Sequence, residues 1–172
     1  MKGRNYRIPS GMPYTRKEFI AGAPQSKIAK FSSGSPNEDY DVKLQLISNG
    51  RVQIRHNALE AARIAINKKL SDLSEKDYFL QVKVYPHVVL RENKMIATAG
   101  ADRLQEGMRR AFGKPIGLAA RVSRGTILFE ISVKKENLNR AKEALKAAST
   151  KLPVTTTIKE VPLKTAPTVE AA

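Results

Sequence analysis

Cysteine is absent from this 172-residue chain, which excludes a disulfide framework and thiolate metal ligation and fits a reducing compartment. Histidine occurs only as His56 and His87. Neither has a second histidine at ligand spacing, no H-E-x-x-H motif is present and the carboxylates do not cluster, so no metal site is expected. No apolar run approaches the roughly 18 residues of a membrane span, and KGRNYRIPSG after Met1 is charged where a secretory signal would be apolar. The expectation is a cytoplasmic protein with no membrane partner. No G-x-S-x-G motif occurs either. Gly113-Lys114 imitates the end of a phosphate loop, but Met108 stands where its first glycine belongs and Pro115 where its magnesium-binding hydroxyl belongs. No cofactor, no small-molecule substrate and no enzymatic activity are expected.

Acidic residues are the next shortage: 16 Asp and Glu face 31 Lys and Arg, leaving a formal charge of +15. That is the balance of a polyanion binder. The excess is not spread evenly: residues 1–35 carry about +6, 91–124 about +5 and 134–151 about +4, while 36–90 carry about +1. A footprint for phosphates gathers charge on extensions and single faces in this way.

The segment Gly100–Gly125 holds five glycines, one proline and six Arg or Lys residues against Asp102 and Glu106. It reads as a long basic loop, spanning residues 100–117, that contacts RNA. Residues 1–36 carry Pro9, Pro13, Pro24 and Pro36 without a helical or strand period, and read as an extended basic arm. Its aromatic residues alternate with cations, an arrangement suited to stacking on bases while cations meet phosphate. The alternative, rings folded back on the domain, is the less favoured reading. Arg4, Tyr6, Arg7, Tyr14, Arg16, Lys17 and Lys27 in the arm are candidate RNA contacts. Arg55, His56 and Arg63 around a helix start join them, as do Arg121 and Arg124 beyond the loop.

Residues 37–162 read as the folded domain. Val42, Leu44 and Leu46 alternate before Ser48-Asn49-Gly50, and Val52 and Ile54 alternate after it. A bulged hairpin with Gly50 left-handed is expected, pairing Leu46 with Val52. Asn57 is expected to cap a helix through a capping box with Glu60, and Leu59, Ala62, Ile66 and Leu70 to form its buried stripe, leaving Arg63 for solvent or phosphate. Tyr78–Tyr85 reads as a strand. Leu118 to Val122 and Ile127 to Val133 read as a second hairpin through Arg124-Gly125. A second helix is expected over 136–149 with Leu138, Ala141, Leu145 and Ala148 inward, then a last strand near Val154–Ile158, and a mobile tail over 163–172. Two helices on a mostly antiparallel sheet make an α+β two-layer sandwich.

The chain resembles a known family: the archaeal form of the large-subunit ribosomal protein that is the counterpart of bacterial ribosomal protein sixteen. The likeness is carried by Tyr6-Arg7, Pro13-Tyr14, Phe19, Gly22, Pro24, Lys27-Ile28 and Phe31, by ALEAAR at 58–63, NKM at 93–95 and ARV at 120–122, and by KLP-TT at 151–156. Its most specific part is AGADRLQ, GMR and AFGKP between Ala99 and Pro115. The resemblance implies a structural protein seated on 23S rRNA near the central protuberance and 5S rRNA, beside neighbouring large-subunit proteins. It implies a loop directed toward tRNA and the peptidyl-transferase region, with Arg103, Arg109, Arg110 and Lys114 as loop contacts. Arg4, Arg7, Arg16 and Lys17 are the implied arm contacts. The neutral ending KTAPTVEAA departs from the longer basic extension of eukaryotic members. From the charge map alone, a free-standing RNA-binding module or RNA chaperone fits as well.

Overall fold

Residues 127–133 alternate Ile, Phe, Ile and Val with Leu, Glu and Ser, a pattern that gives a strand one apolar face and one mixed face. In the computed structural model, which describes residues 1–36, 39–94, 108 and 111–163, this segment lies at the middle of a five-stranded sheet. The described strands are β1 (Ser32–Gly34), β2 (Val42–Ser48), β3 (Val52–Arg55), β4 (Tyr78–Val82), β5 (Val88–Glu92), β6 (Lys114–Val122), β7 (Ile127–Val133) and β8 (Thr156–Pro162). The helices are α1 (His56–Leu70) and α2 (Leu138–Ser149). One sheet runs β1-β4-β7-β2-β8 and a second runs β3-β6-β5, with every pairing antiparallel.

Cross-strand rows build the core of the larger sheet. Leu44, Ile131 and Leu80 stand side by side across β2, β7 and β4, and Leu46, Phe129 and Val82 form the next row. All six are buried. Against them lie the stripes of α1 (Leu59, Ala62, Ile66, Leu70) and α2 (Ala141, Ala144, Leu145, Ala148), so both helices and both sheets share one core. The small alanines of α2 let the two helices pack directly on each other. On the opposite sheet face Glu130 is buried, accepting from Gln45 Nε2 at 2.8 Å and pairing with Lys83 at 3.3 Å.

The fold is the expected α+β two-layer arrangement with two helices, but the strand partners differ. β2 pairs with β7 and β8, whereas β3 pairs with β6 in the other sheet, so the hairpin expected over 40–55 does not form. The backbone at the end of β2 is engaged elsewhere: Ser48 N–H donates to the Thr126 carbonyl, Gly125 N–H donates to the Ser48 carbonyl, and Asn49 N–H donates to Thr155. Gly50 has no positive φ, and Ser48 Oγ donates to its carbonyl instead. The second expected hairpin fails in the same way, because β6 and β7 belong to different sheets joined through the turn at Gly125. The parity of the apolar positions nevertheless holds, since both sheets face the same core.

The helix start differs too. Arg55 occupies the N-cap position, no side chain caps α1, and Glu60 bonds Arg63 rather than reaching back. The second helix begins with a 3-10 turn at Lys135–Asn137, which leaves Leu138 half-buried. The tail beyond Leu163 lies outside the described residues.

Truncating Phe129 to alanine should therefore cost about 3 to 5 kcal/mol, and Ile131 about 2 to 5. Leu138→Ala should cost less than either. Denaturant melts of the three variants check the ranking; an equal loss for Leu138→Ala would place that residue in the core after all.

Candidate RNA interface

The first 36 residues lack a periodic pattern because they are not an independent layer. They run along the three-stranded sheet and then enter the core. Gln53 on β3 takes the first part: its N–H donates to the Arg7 carbonyl at 2.8 Å and its Nε2 to the Tyr6 carbonyl at 2.7 Å. Its Oε1 accepts from Arg121 Nε at 3.2 Å, and the same guanidinium donates to the carbonyls of Gly11 (2.8 Å) and Ser10 (3.2 Å). Further along, Val89 N–H donates to the Tyr14 carbonyl at 2.7 Å, and Ile20 packs on Val89 and Leu118. Ile28 joins the main core, Val82 N–H donates to the Phe31 carbonyl at 2.7 Å, and β1 adds itself to β4.

Three of the arm's four rings pack back on the domain, the arrangement that the sequence reading favoured less. Tyr6 lies under the Arg55 guanidinium, 5.6 Å from ring centroid to Cζ, and Phe31 stacks on Tyr85 at 5.5 Å. Tyr14 meets Phe112 edge-on at 5.3 Å. The rings pack back on the domain because carbonyls and apolar side chains on the arm find partners there, which composition alone does not reveal. Phe19 is the exception at 75% exposed.

The cations sort into two groups. Arg4, Arg7, Arg16, Lys17 and Lys27 are exposed and form no ion pair among the described residues, with the Lys17 ammonium 5.7 Å from the Tyr85 ring centroid. Arg124 is exposed at the β6–β7 turn, and Lys114 is exposed as the first residue of β6, so the loop expected to run to residue 117 ends at Gly113. The other group is engaged: Arg63 holds Glu60 through two bonds of 2.9 and 2.6 Å, and Arg121 is bound to the arm. Arg103, Arg109 and Arg110 lie outside the described residues.

The base of that loop is built from Gly113, Phe112 and Arg91, to which the sequence reading gave no structural role. Gly113 sits at φ +80°, and a Cβ there would fall 2.5 Å from the Glu92 carbonyl carbon and 2.6 Å from Asn93 N, so only glycine fits. Next to it the Arg91 guanidinium lies 3.9 Å from the Phe112 ring centroid and 5.8 Å from that of Tyr14.

Lys27, which is far from Arg55 and His56 in the chain, meets them at the start of α1. Lys27 N–H donates to His56 Nδ1 at 3.2 Å. Burial, and then the charges of Arg55 and Lys27, hold the His56 imidazole below its ordinary pKa. His87 instead lies exposed with Nδ1 3.1 Å from its own turn's Tyr85 carbonyl. Among the described residues no group of three His, Asp or Glu side chains is placed to hold a metal.

A family model described as ribosomal protein L16p/L10e matches residues 9–159. The chain is similar to proteins named large ribosomal subunit protein uL16. The one from Hyperthermus butylicus is 58% identical over 162 residues, covering 94% of this chain and 90% of its own. That from Staphylothermus marinus is 57% identical over 162 residues, with 94% and 93% covered. That from Saccharolobus islandicus strain L.S.2.15 is 58% identical over 165 residues, with the same coverage as the second.

Because the folded state prefers His56 neutral, the unfolded chain takes up the proton first, so this group's contribution is complete above about pH 6.5 and is lost as pH falls through the lowered folded value. Glu60, held below its ordinary value first by its bond to Arg63, acts in a separate window below about pH 4.5. The melting temperature should fall between about pH 7 and 5, and His56→Gln should flatten that part of the curve. A variant curve parallel to that of the parent would mean that His56 does not titrate there.

Proposed function

Because this chain belongs to the ribosomal protein L16p/L10e family, we propose that it is a structural constituent of the large ribosomal subunit, seated on 23S rRNA near the central protuberance and 5S rRNA. Its long basic loop is directed toward tRNA and the peptidyl-transferase region, with Arg103, Arg109, Arg110 and Lys114 as contacts. Membership of a family of ribosomal proteins makes it a component of the cytoplasmic ribosome rather than an enzyme. Neighbouring large-subunit proteins complete its surroundings.

One observation carries the placement on RNA: the arm is fixed to the domain through its backbone and rings, while Arg4, Arg7, Arg16, Lys17 and Lys27 stay exposed and, among the described residues, without an ion-pair partner. A scaffold that spends carbonyls on docking and leaves guanidinium and ammonium groups outward is pre-organised for phosphates, with the ordering entropy of the arm met before RNA arrives. Lys114 next to the pinned Gly113 extends this surface toward the loop.

In a cell lysate at moderate salt the protein should sediment with large subunits; recovery in the top fractions would favour a free-standing RNA-binding module. Deleting the arm would be a poor test, since it removes Ile28 from the core and β1 from the sheet. Replacing Arg4, Arg16 and Lys17 by alanine leaves those contacts in place. If each meets one phosphate of isolated 23S rRNA, the slope of log K against log salt should become shallower by about 2 to 3. An unchanged slope would remove the arm from the interface.

Changing Arg109 and Arg110 together to alanine should alter stability by no more than about 0.5 kcal/mol. The variant should still enter large subunits and should bind tRNA less well there. Wild-type tRNA binding and translation rate in such particles would refute the loop assignment.

A further inference from the structure

Where the arm crosses the start of α1, it encloses a pocket of about 300 Å³ lined by Pro24, Lys27, Arg55, His56, Asn57 and Ile116, with the neighbouring side chains of residues 25 and 26. Four features of its wall share one polarity. The first turn of the 15-residue α1 has no side-chain cap and no acidic residue, so its leading N–H groups and the positive end of its dipole are unanswered. Lys27 is exposed and unpaired. Arg55 is half-buried over Tyr6, and its Nε is buried without a partner.

His56 supplies the fourth and most specific feature. The residue is only 4% exposed. Its Nδ1 already accepts the Lys27 N–H, which places the ring proton on Nε2 as a donor. That Nε2 has no partner of its own; it looks toward Gly117, where an added Cβ would lie 3.7 Å away, next to Ile116 of the pocket wall. The nearby carboxylate, Glu60, is occupied by Arg63 and by the Ala29 N–H. The Arg55 Nε is a buried donor with no acceptor, which is destabilising unless something else supplies the lone pairs.

We propose that this pocket binds a single backbone phosphate of RNA, received by the α1 N-terminus, the His56 Nε2–H donor and the Lys27 and Arg55 cations. Its charged lining is wholly cationic and its unpartnered groups, the buried Arg55 Nε and the His56 Nε2, are donors, so the fitting ligand is an anion that only accepts, as a phosphodiester does. A nucleobase edge would bring donors of its own against them. One wall, from Pro24 to Lys27, belongs to the arm and the other to α1 and β6, so the phosphate ties the arm to the domain at the same moment as it ties the protein to RNA. The RNA source rests on the ribosomal reading above.

The test uses the full chain and two probes, inorganic phosphate and hexauridylate, followed by proton–nitrogen NMR. Both should shift the His56 Nε2–H and the Asn57 and Ala58 amides in a saturable way, with hexauridylate saturating at lower concentration. Lys27→Glu, which reverses an exposed charge and keeps the backbone N–H on His56, should weaken both by at least about tenfold. Shifts with phosphate alone would make this a free-anion site and overturn the RNA assignment, and no shift with either would overturn the pocket. Binding of isolated 23S rRNA separates this from the broader reading. If wild type binds and Lys27→Glu binds equally well with the same salt slope, the pocket is wrong and the ribosomal placement stands. If wild type does not bind, the placement fails first and takes the RNA occupant with it.

Discussion

The rows Leu44–Ile131–Leu80 and Leu46–Phe129–Val82 are the constraint on which everything else rests. They fix β7 between β2 and β4, and so fix which face of the larger sheet the helices cover. A one-residue slip would turn Glu130 and Ser132 into the core and expel Phe129 and Ile131, an exchange that the buried volume could not absorb. With that register set, the reversal at Ser48 carries the chain into the second sheet and the turn at Gly125 returns it to the first, and the three-stranded layer becomes the surface along which the arm is laid.

Local periodicity was readable because it reports burial. The stripe Leu59, Ala62, Ile66, Leu70 and the alternations in β2, β4 and β7 were each found by spacing alone, and all of these positions are buried except Val42 and Ile127, which are half-buried at the strand ends. Partnership was not readable, because an apolar alternation is the same whether the next strand returns beside it or crosses to another sheet over the same core. The capping box at Asn57 and Glu60 failed for a related reason: Arg63, three residues along the helix, competes for the carboxylate, and a charge-assisted bidentate bond is stronger than a bond to a backbone N–H.

The candidate interface was legible in its charges and illegible in its geometry. Exposed cations such as Arg4, Arg7 and Arg16 are where the composition put them, outward and, among the described residues, without an ion-pair partner. Arg121 looked the same in sequence, yet its planar fork is occupied by the arm's carbonyls, a use that only the fold reveals. Lys27, Arg55 and His56 had no sequence pattern in common, because their meeting depends on the arm passing over the start of α1. Gln53 and Arg91, each joining two segments, carry no compositional signature at all.

The pairing of Glu92 with Lys114, locked by Gly113 against Asn93, holds the two ends of the intervening segment side by side. The strand pair thus closes the connection at its base, and for any flexible connection a doubling of length adds only about 0.6 kcal/mol to the closure cost. What the domain requires at this edge is the register of β5 on β6, a demand on two strand ends and one glycine.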